Sequence, residues 1–311
     1  MPIQGERIIF PFPGTSRLTS TKQESHKYEK FLKMGCTGKR YTTILSIAGS
    51  DCSGGAGIQA DIKTAQALGV YACTAITSVT AQNTTGISAK MDVEPYVLRQ
   101  QLEQIITDEP PMAVKTGMLP SPDATIAVAE VLGKHGCSNI VVDPVLISTS
   151  GTPLTHPLDE SAKVMKEILF PMARLVTPNI PEAEFLSGIS LSEPKPDTLY
   201  LVLQRMNAKS ILIKGGHSTG RLSADILICE EGQEEFADER IETTNTHGTG
   251  CVLSTAIACG LANGLSLKKS ISLAKRFINH ALSRGSAYSF GKGNGPLYLF
   301  GDGFRQNDTY K

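Results

Sequence analysis

The sequence has no excess of either charge: 30 lysines and arginines face 30 aspartates and glutamates across 311 residues. No broad field is available to gather nucleic acid or to hold an anionic membrane surface. It has no apolar run near the roughly 20 residues that a membrane-spanning helix needs. It has no CxxC pair and no zinc spacing. Its 7 cysteines are scattered and odd in number, and read as reduced thiols of a cytoplasmic protein. It has no GxxxxGK[ST] phosphate loop and no GxGxxG dinucleotide fingerprint, so any nucleotide site must be built another way.

Residues 1–40 differ from the rest of the chain. They are polar, rich in Ser, Thr and Lys, and broken by Pro11, Pro13 and Gly14. They lack the apolar centre of a secretory signal, and Glu6, Glu24 and Glu29 count against a transit peptide. They read as a flexible extension, or as residues ahead of a true start at Met34. From residue 41 onward, apolar runs of β type alternate with amphipathic stretches. TTILSIAG, YACTAITSVT, MAVKTGML, NIVVDPV, ARLVTPN, SILIKGG and ADILICEE read as strands. Helices are expected around Ile58–Leu68, around Val97–Ile106, from Ser121-Pro122, from Pro181, from Thr249 and from about Leu267. Ser190–Asp197 is polar and broken by proline, and reads as a mobile loop. Continuous apolar strands alternating with helices imply a mostly parallel sheet covered on both faces, in one α/β domain over 41–301 with a tail at 302–311. Ligands in such folds sit beyond the carboxyl ends of the strands.

The loops at those ends hold the polar residues of interest. In NTHGTGCVLSTAIACGLANG, a glycine-rich turn feeds an apolar helix. Gly248, Thr249 and Gly250 would aim backbone amides at an anion, helped by the positive end of the helix; a plain tight turn is the competing reading. Cys251 begins the helix, where a thiol is expected to be partly activated. Asp143 ends a strand within reach of a metal-bound phosphate or a hydroxyl, or caps the next loop. Asn179 and Glu182 open a helix, as water-mediated Mg²⁺ ligands or as a capping pair. Lys214 stands at a strand end beside two glycines, facing nucleotide phosphates or solvent. His217 and His247 read as structural or loop residues.

Taken together, SIAGSDCSGGAGIQADIKT, TSVTAQNTTGI, VKTGML, VVDPV, TPNIPEA, KGGH, NTHGTGC and the closing GKGNGPLYLF resemble the hydroxymethylpyrimidine and phosphomethylpyrimidine kinases of thiamine biosynthesis. The resemblance spans about residues 43–300. It implies a ribokinase-like three-layer sandwich, ATP and Mg²⁺ as cofactors, a small-molecule substrate and a homodimer. It implies two successive phosphorylations, first of the pyrimidine alcohol and then of its monophosphate. Gly49, Ala56, Gln82, Met118 and Val145 match positions lining the pyrimidine pocket, and Thr80 falls where the family often carries Val. Asp143 and Glu182 match the Mg²⁺–phosphate region, and Lys214 the nucleotide-phosphate lysine. Gly248–Cys251 matches the anion hole, with Cys251 where many ribokinase relatives carry a catalytic Asp.

The carboxamide of Gln82 offers an acceptor beside donors. An aminopyrimidine edge offers the complement, a ring nitrogen beside an amine. Three rival functions compete with this one. A pyridoxal kinase would share the fold and the anion hole. A sugar kinase would need polar side chains that the first loop lacks. A non-catalytic pyrimidine sensor conflicts with the joint presence of Asp143, Glu182, Lys214 and Cys251.

Overall fold

A computed structural model of the chain describes residues 40–147, 153–192, 195–216 and 220–300. The apolar runs become strands β1 (Thr43–Asp51), β2 (Tyr71–Asn83), β4 (Ala113–Thr116), β5 (Ile140–Val142), β6 (Leu175–Val176) and β7 (Ser210–Ile213), all parallel. Strand β3 (Gly86–Asp92) extends one edge antiparallel, and β8 (Leu222–Cys229) with β9 (Gly232–Glu239) extends the other. The single sheet runs β3-β2-β1-β4-β5-β6-β7-β8-β9.

Side chains alternate across a strand, and the two faces of this sheet are both buried. Leu45, Ile47, Val114, Ile140, Val142 and Ile211 enter one core. Their neighbours Ile44, Ala113, Val141 and Leu212 enter the other. The first core is closed by α2 (Pro95–Asp108), α3 (Pro122–Lys134), α4 (Leu158–Val164), α5 (Ile180–Ser187) and α6 (Pro196–Arg205). The second is closed by α1 (Gly57–Ala67), α7 (Thr249–Ala262) and α8 (Leu267–Gly285). This is the expected three-layer α/β sandwich. Helix α7 is buried at every position from Val252 to Ala262, as a helix apolar on all sides must be. Ser121 caps α3 by accepting from Ala124 N–H at 3.2 Å, with Pro122 in the first turn, as its sequence indicates. No helix among the described residues is long and apolar enough to cross a membrane.

Four elements escape the apolar-run criterion. Strands β3 and β9 are largely polar, and β9 is held by pairing with β8 along its whole length. Helix α4 is short and runs through a wider turn, Met165–Leu169, into a tighter one, Phe170–Met172. Helix α6 begins only at the end of the loop expected over Ser190–Asp197, and Ser190–Ser192 and Lys195 belong to no helix or strand. Pro196 opens this helix, which buries Leu199, Val202 and Leu203 on one face. Residues 193–194 lie outside the described residues. The compact unit begins at Tyr41. Apart from Arg40, the extension expected over 1–40 lies outside the described residues, as does the tail at 302–311.

Among the ion pairs of the described residues, that of Lys115 with Asp61 is the most deeply buried. Lys115 Nζ on β4 donates to Asp61 on α1 at 2.8 and 3.1 Å, and both side chains are fully buried. Ser46 Oγ and Thr255 Oγ1 also donate to Asp61, at 2.5 and 2.7 Å. Burial disfavours the ammonium, but the adjacent carboxylate outweighs it and holds the Lys115 pKa above its usual value. Removing one partner strands the other charge. Asp61→Asn should therefore cost roughly 3–5 kcal/mol, read as a shift of the denaturant midpoint, and Asp61→Leu combined with Lys115→Met should recover much of it. A cost below about 1 kcal/mol would place the pair among those of little consequence.

Candidate active site

The carboxyl ends of β1, β2, β4, β5, β6 and β7 and the start of α7 surround a cavity of about 650 Å³. Every candidate residue named from the sequence lines it: Gly49, Ala56, Gln82, Met118, Asp143, Val145, Asn179, Glu182, Lys214 and the turn Gly248–Cys251. His217 lies outside the described residues.

The turn ahead of α7 is built by close backbone approach. Gly248 has φ +85°, and a Cβ there would stand 1.9 Å from Gly55 O. Thr249 commits its hydroxyl and its N–H to Thr246 O, at 2.6 and 3.3 Å. No side chain caps the helix. The N–H groups of Gly250 and Cys251, as first-turn donors, have no intrahelical acceptor. A Cβ on Gly250 would lie 3.3 Å from Lys214 Nζ and 3.5 Å from Asp143 Oδ2, so the turn stands beside the charged cluster.

In that cluster Lys214 Nζ donates to Asp143 Oδ1 at 2.6 Å and stands 4.0 Å from Glu182 Oε2. Thr177 Oγ1 donates to Asp143 at 3.3 Å, and Ser254 Oγ lies 3.4 Å from it. Burial disfavours the Lys214 ammonium; Asp143 and then Glu182 offset this and hold its pKa high. Asn179 and Glu182 form a reciprocal capping box on α5, each accepting the other's backbone N–H at 2.8 Å. The capping alternative is thus the local geometry, and any metal role for Glu182 must coexist with it. Burial, with Asp143 adding, pushes the Glu182 carboxyl up to about 7 against the pull of Lys214. No group of three or more His, Cys, Asp and Glu side chains among the described residues could hold a metal ion. Two carboxylates beside an open amide turn nonetheless fit Mg²⁺, which takes one or two carboxylates and completes its shell with phosphates and water.

Cys251 departs from expectation. Burial pushes its thiol up to about 11, outweighing the opposing pull of Lys115. The helix start does not yield an activated thiolate here, because enclosure by protein costs more than the helix end returns.

At the other end, Gly49 is covered by Met118, whose Cε would stand 2.4 Å from an added Cβ. Val145 N–H bonds Asp143 O at 2.8 Å, tying the wall to the cluster. Ala56 N–H donates to Asp51 Oδ2 at 2.8 Å. Asp51 also accepts from Gly55 N–H, Ser53 N–H and Ser53 Oγ. Burial resists its ionisation, but hydrogen bonds from His247, Ser53 and Ala56 prevail and hold its carboxyl below the usual range. His247 is no mere loop residue: its Nε2 lies 3.1 Å from Asp51 Oδ2 and 3.3 Å from Gln82 Nε2. Asp51 is a lining residue that the sequence did not single out, and His247, read there as structural or as part of a loop, joins it to Gln82. Asp51 did carry a local signal, an aspartate two residues ahead of Ser53 and the pair Gly54-Gly55 in a turn.

The sequence profile of the phosphomethylpyrimidine kinase family matches residues 51–298. The chain belongs to that family. It is 44% identical over 257 residues to the thiamine biosynthesis bifunctional protein ThiED of Geobacter sulfurreducens, covering 82% of this chain. The chain spans about half of that bifunctional relative, 51% of its length. It is 41% identical to the hydroxymethylpyrimidine/phosphomethylpyrimidine kinase of Rhizobium meliloti, over 82% of this chain and 96% of that one. Among solved structures, an ADP complex of Bacillus subtilis pyridoxal kinase superposes with a TM-score of 0.73 at 33% identity, covering 83% of this chain and 97% of that one. The family's ribokinase-like architecture is therefore the one the sandwich adopts.

Proposed function

We propose that this phosphotransferase moves the γ-phosphoryl group of ATP to the hydroxymethyl group of 4-amino-5-hydroxymethyl-2-methylpyrimidine, and then adds a second phosphoryl group to the monophosphate, for thiamine synthesis. The observation that carries this reading is a single cavity. It joins the Gln82 carboxamide to the uncapped start of α7 and the Asp143–Lys214 pair. Gln82 would pair in a fork with the aminopyrimidine edge, between Gly49, Ala56, Met118 and Val145. The ADP bound by the Bacillus subtilis neighbour supports nucleotide use. Ile241, Leu253, Ile278 and Leu282 add apolar surface to the lining of the cavity, of the kind a purine needs.

Phosphoryl transfer depends on positioning and charge neutralisation more than on covalent help. Lys214 and the Gly250 and Cys251 amides would take the charge of the moving group. Asp143 and Glu182 are the residues that would hold Mg²⁺, which would neutralise phosphate charge there. Since Cys251 is protonated, it would act as a relay: its own proton passes to a phosphoryl oxygen as the substrate hydroxyl proton reaches the sulfur. The second nucleophile is a phosphate monoester, mostly ionised at neutral pH because its second pKa is near 6. Cys251→Ala should therefore slow the first phosphorylation by roughly 10²-fold and the second only a few-fold. Equal losses in separate single-turnover assays would mean that Cys251 acts through shape alone.

Pyridoxal phosphorylation is the second reading, favoured by the Bacillus subtilis neighbour. Competition decides: with both alcohols present and Mg-ATP limiting, the pyrimidine should be consumed first, and preferential loss of pyridoxal would reverse the assignment. Tight pyrimidine binding with no ATP turnover would point instead to a sensor. A cytoplasmic location fits the unpaired state of the described cysteines. Homodimerisation rests on the family resemblance, and no nucleic-acid or membrane partner is proposed for a chain of zero net charge.

A further inference from the structure

The closing motif GKGNGP, Gly291–Pro296, lies between two parts of the site. One is the hairpin that carries Gln82. Strand β1 pairs with β2 only as far as Thr80, and beyond it Gln82 and Asn83 pair with Ile87 and Gly86 of β3. Gln82 therefore stands on a two-stranded ribbon that overhangs the sheet, and such a ribbon is marginal on its own. Cys52 Sγ exchanges hydrogen bonds with the Gln82 backbone at 3.1 and 3.3 Å, but a thiol is a weak donor and a weak acceptor.

The stronger tie is at Thr84, near the tip of the ribbon. Its Oγ1 accepts from the N–H groups of Lys292 and Gly293, each at 3.1 Å. The fit leaves no room for side chains: a Cβ on Gly291 would stand 2.3 Å from Thr84 Oγ1, and one on Gly293 2.0 Å from Thr84 O. The other end of the motif meets the turn ahead of α7. Gly295 O accepts from His247 N–H at 3.0 Å, and a Cβ on Gly295 would stand 2.0 Å from Asn245 Oδ1. Asn245 is buried, and its Nδ2 donates to Gly285 O and Tyr288 O, both at 2.7 Å. That turn is thereby fixed to the end of α8 and to the residues leading into the motif.

We infer that GKGNGP is a strap that holds the Gln82 hairpin in register with the turn ahead of α7, and that Thr84 is the positioning residue through which it acts. The inference rests on the proposed pyrimidine kinase reading. Thr84 follows Gln82 by two positions, and His247 immediately precedes Gly248. One short segment thus spans from the residue that grips the heterocycle to the turn that receives the phosphoryl group. Transfer needs the hydroxymethyl oxygen aligned with the γ-phosphorus, and a misplacement of about 1 Å can cost about 10²-fold. A hairpin released from the strap carries the pyrimidine out of line while Lys214 and the α7 turn still hold ATP. Water then takes the phosphoryl group in place of the alcohol, and ATP is spent as ADP and inorganic phosphate.

The test uses the full-length chain with Mg-ATP and hydroxymethylpyrimidine. Thr84→Val is nearly isosteric and removes the acceptor. Residues 291–294 are exposed, so the two released amides find water, and Tm should stay close to that of the wild type. For the pyrimidine, kcat/KM should fall roughly 10–10²-fold, whereas KM for ATP should stay within a few-fold. ADP should exceed the phosphoryl groups transferred to the pyrimidine, with inorganic phosphate making up the difference. Thr84→Ser keeps the acceptor and should restore both the rate and the match. Gly293→Ala, whose Cβ meets the Thr84 backbone, should reproduce the mismatch. ADP and product that stay matched in Thr84→Val, whatever the loss of rate, or equal losses in Val and Ser, would overturn the inference alone. If Gly293→Ala fails to fold, the contrast between Val and Ser at position 84 decides. A wild type that does not phosphorylate the pyrimidine would overturn the functional reading, and this inference with it.

Discussion

Lys214→Met is expected to lower kcat by roughly 10²–10³-fold, the usual loss when one group stabilising a developing charge is removed, while KM for the pyrimidine stays within a few-fold. The cause is geometric. Lys214 Nζ sits 2.6 Å from Asp143 and 4.0 Å from Glu182, beside Gly250 at the start of α7. It is remote in role from Gln82, which holds the heterocycle, so its loss removes charge from the moving phosphoryl group and not grip from the ring. Methionine keeps much of the packing, and the cost that remains is electrostatic. Two carboxylates are then left without their cation, and burial together with Asp143 already pushes Glu182 up to about 7. Steady-state kinetics on each substrate separates the cases. A raised pyrimidine KM with an intact kcat would put Lys214 in the wrong half of the cavity.

Gly248→Ala should be as damaging by a different route, with kcat/KM falling at least about 10²-fold, comparable to losing an anion-hole donor. Position 248 has φ +85°, and the new Cβ would stand 1.9 Å from Gly55 O and 2.9 Å from Gly55 C. The obstacle is backbone and cannot rotate away. The turn and the first loop must separate, which withdraws the Gly250 and Cys251 amides and pulls His247 from Asp51. Gly264→Ala supplies the control. That glycine has φ +78° with nothing within 4 Å of its added Cβ. It should show the left-handed strain alone, about 1–2 kcal/mol, read as a lower Tm with normal kcat. If both variants lose stability equally and keep full activity, the close approach at Gly248 has no part in catalysis.

Much of this was legible in the chain before its fold. The strands of the sheet centre announce themselves because both faces are buried, so Leu45 and Ile44, or Val142 and Val141, are apolar alike. The site was legible too, because it lies in the loops after those strands. What stayed hidden depends on partners far along the chain. β9, with Glu234, Glu235 and Glu239, is a strand because β8 lies beside it. Asp51 meets His247 across 196 positions, and Asp61 meets Thr255 across 194. No local spacing encodes either contact. The same limit explains Cys251: its place at a helix start is visible in sequence, whereas the enclosure that pushes its thiol up to about 11 is a property of the assembled pocket. The pair Asn179 and Glu182 was legible in both its readings, since a residue that caps and one that coordinates are drawn from the same oxygen-bearing set.

The most direct measurement is phosphorus NMR of the purified chain with Mg-ATP and hydroxymethylpyrimidine. The expected result is a monoester resonance that appears first and gives way to the paired signals of a pyrophosphate, with one ADP released for each phosphoryl group transferred. ADP formation that needs no pyrimidine, or none unless pyridoxal is supplied, would contradict it.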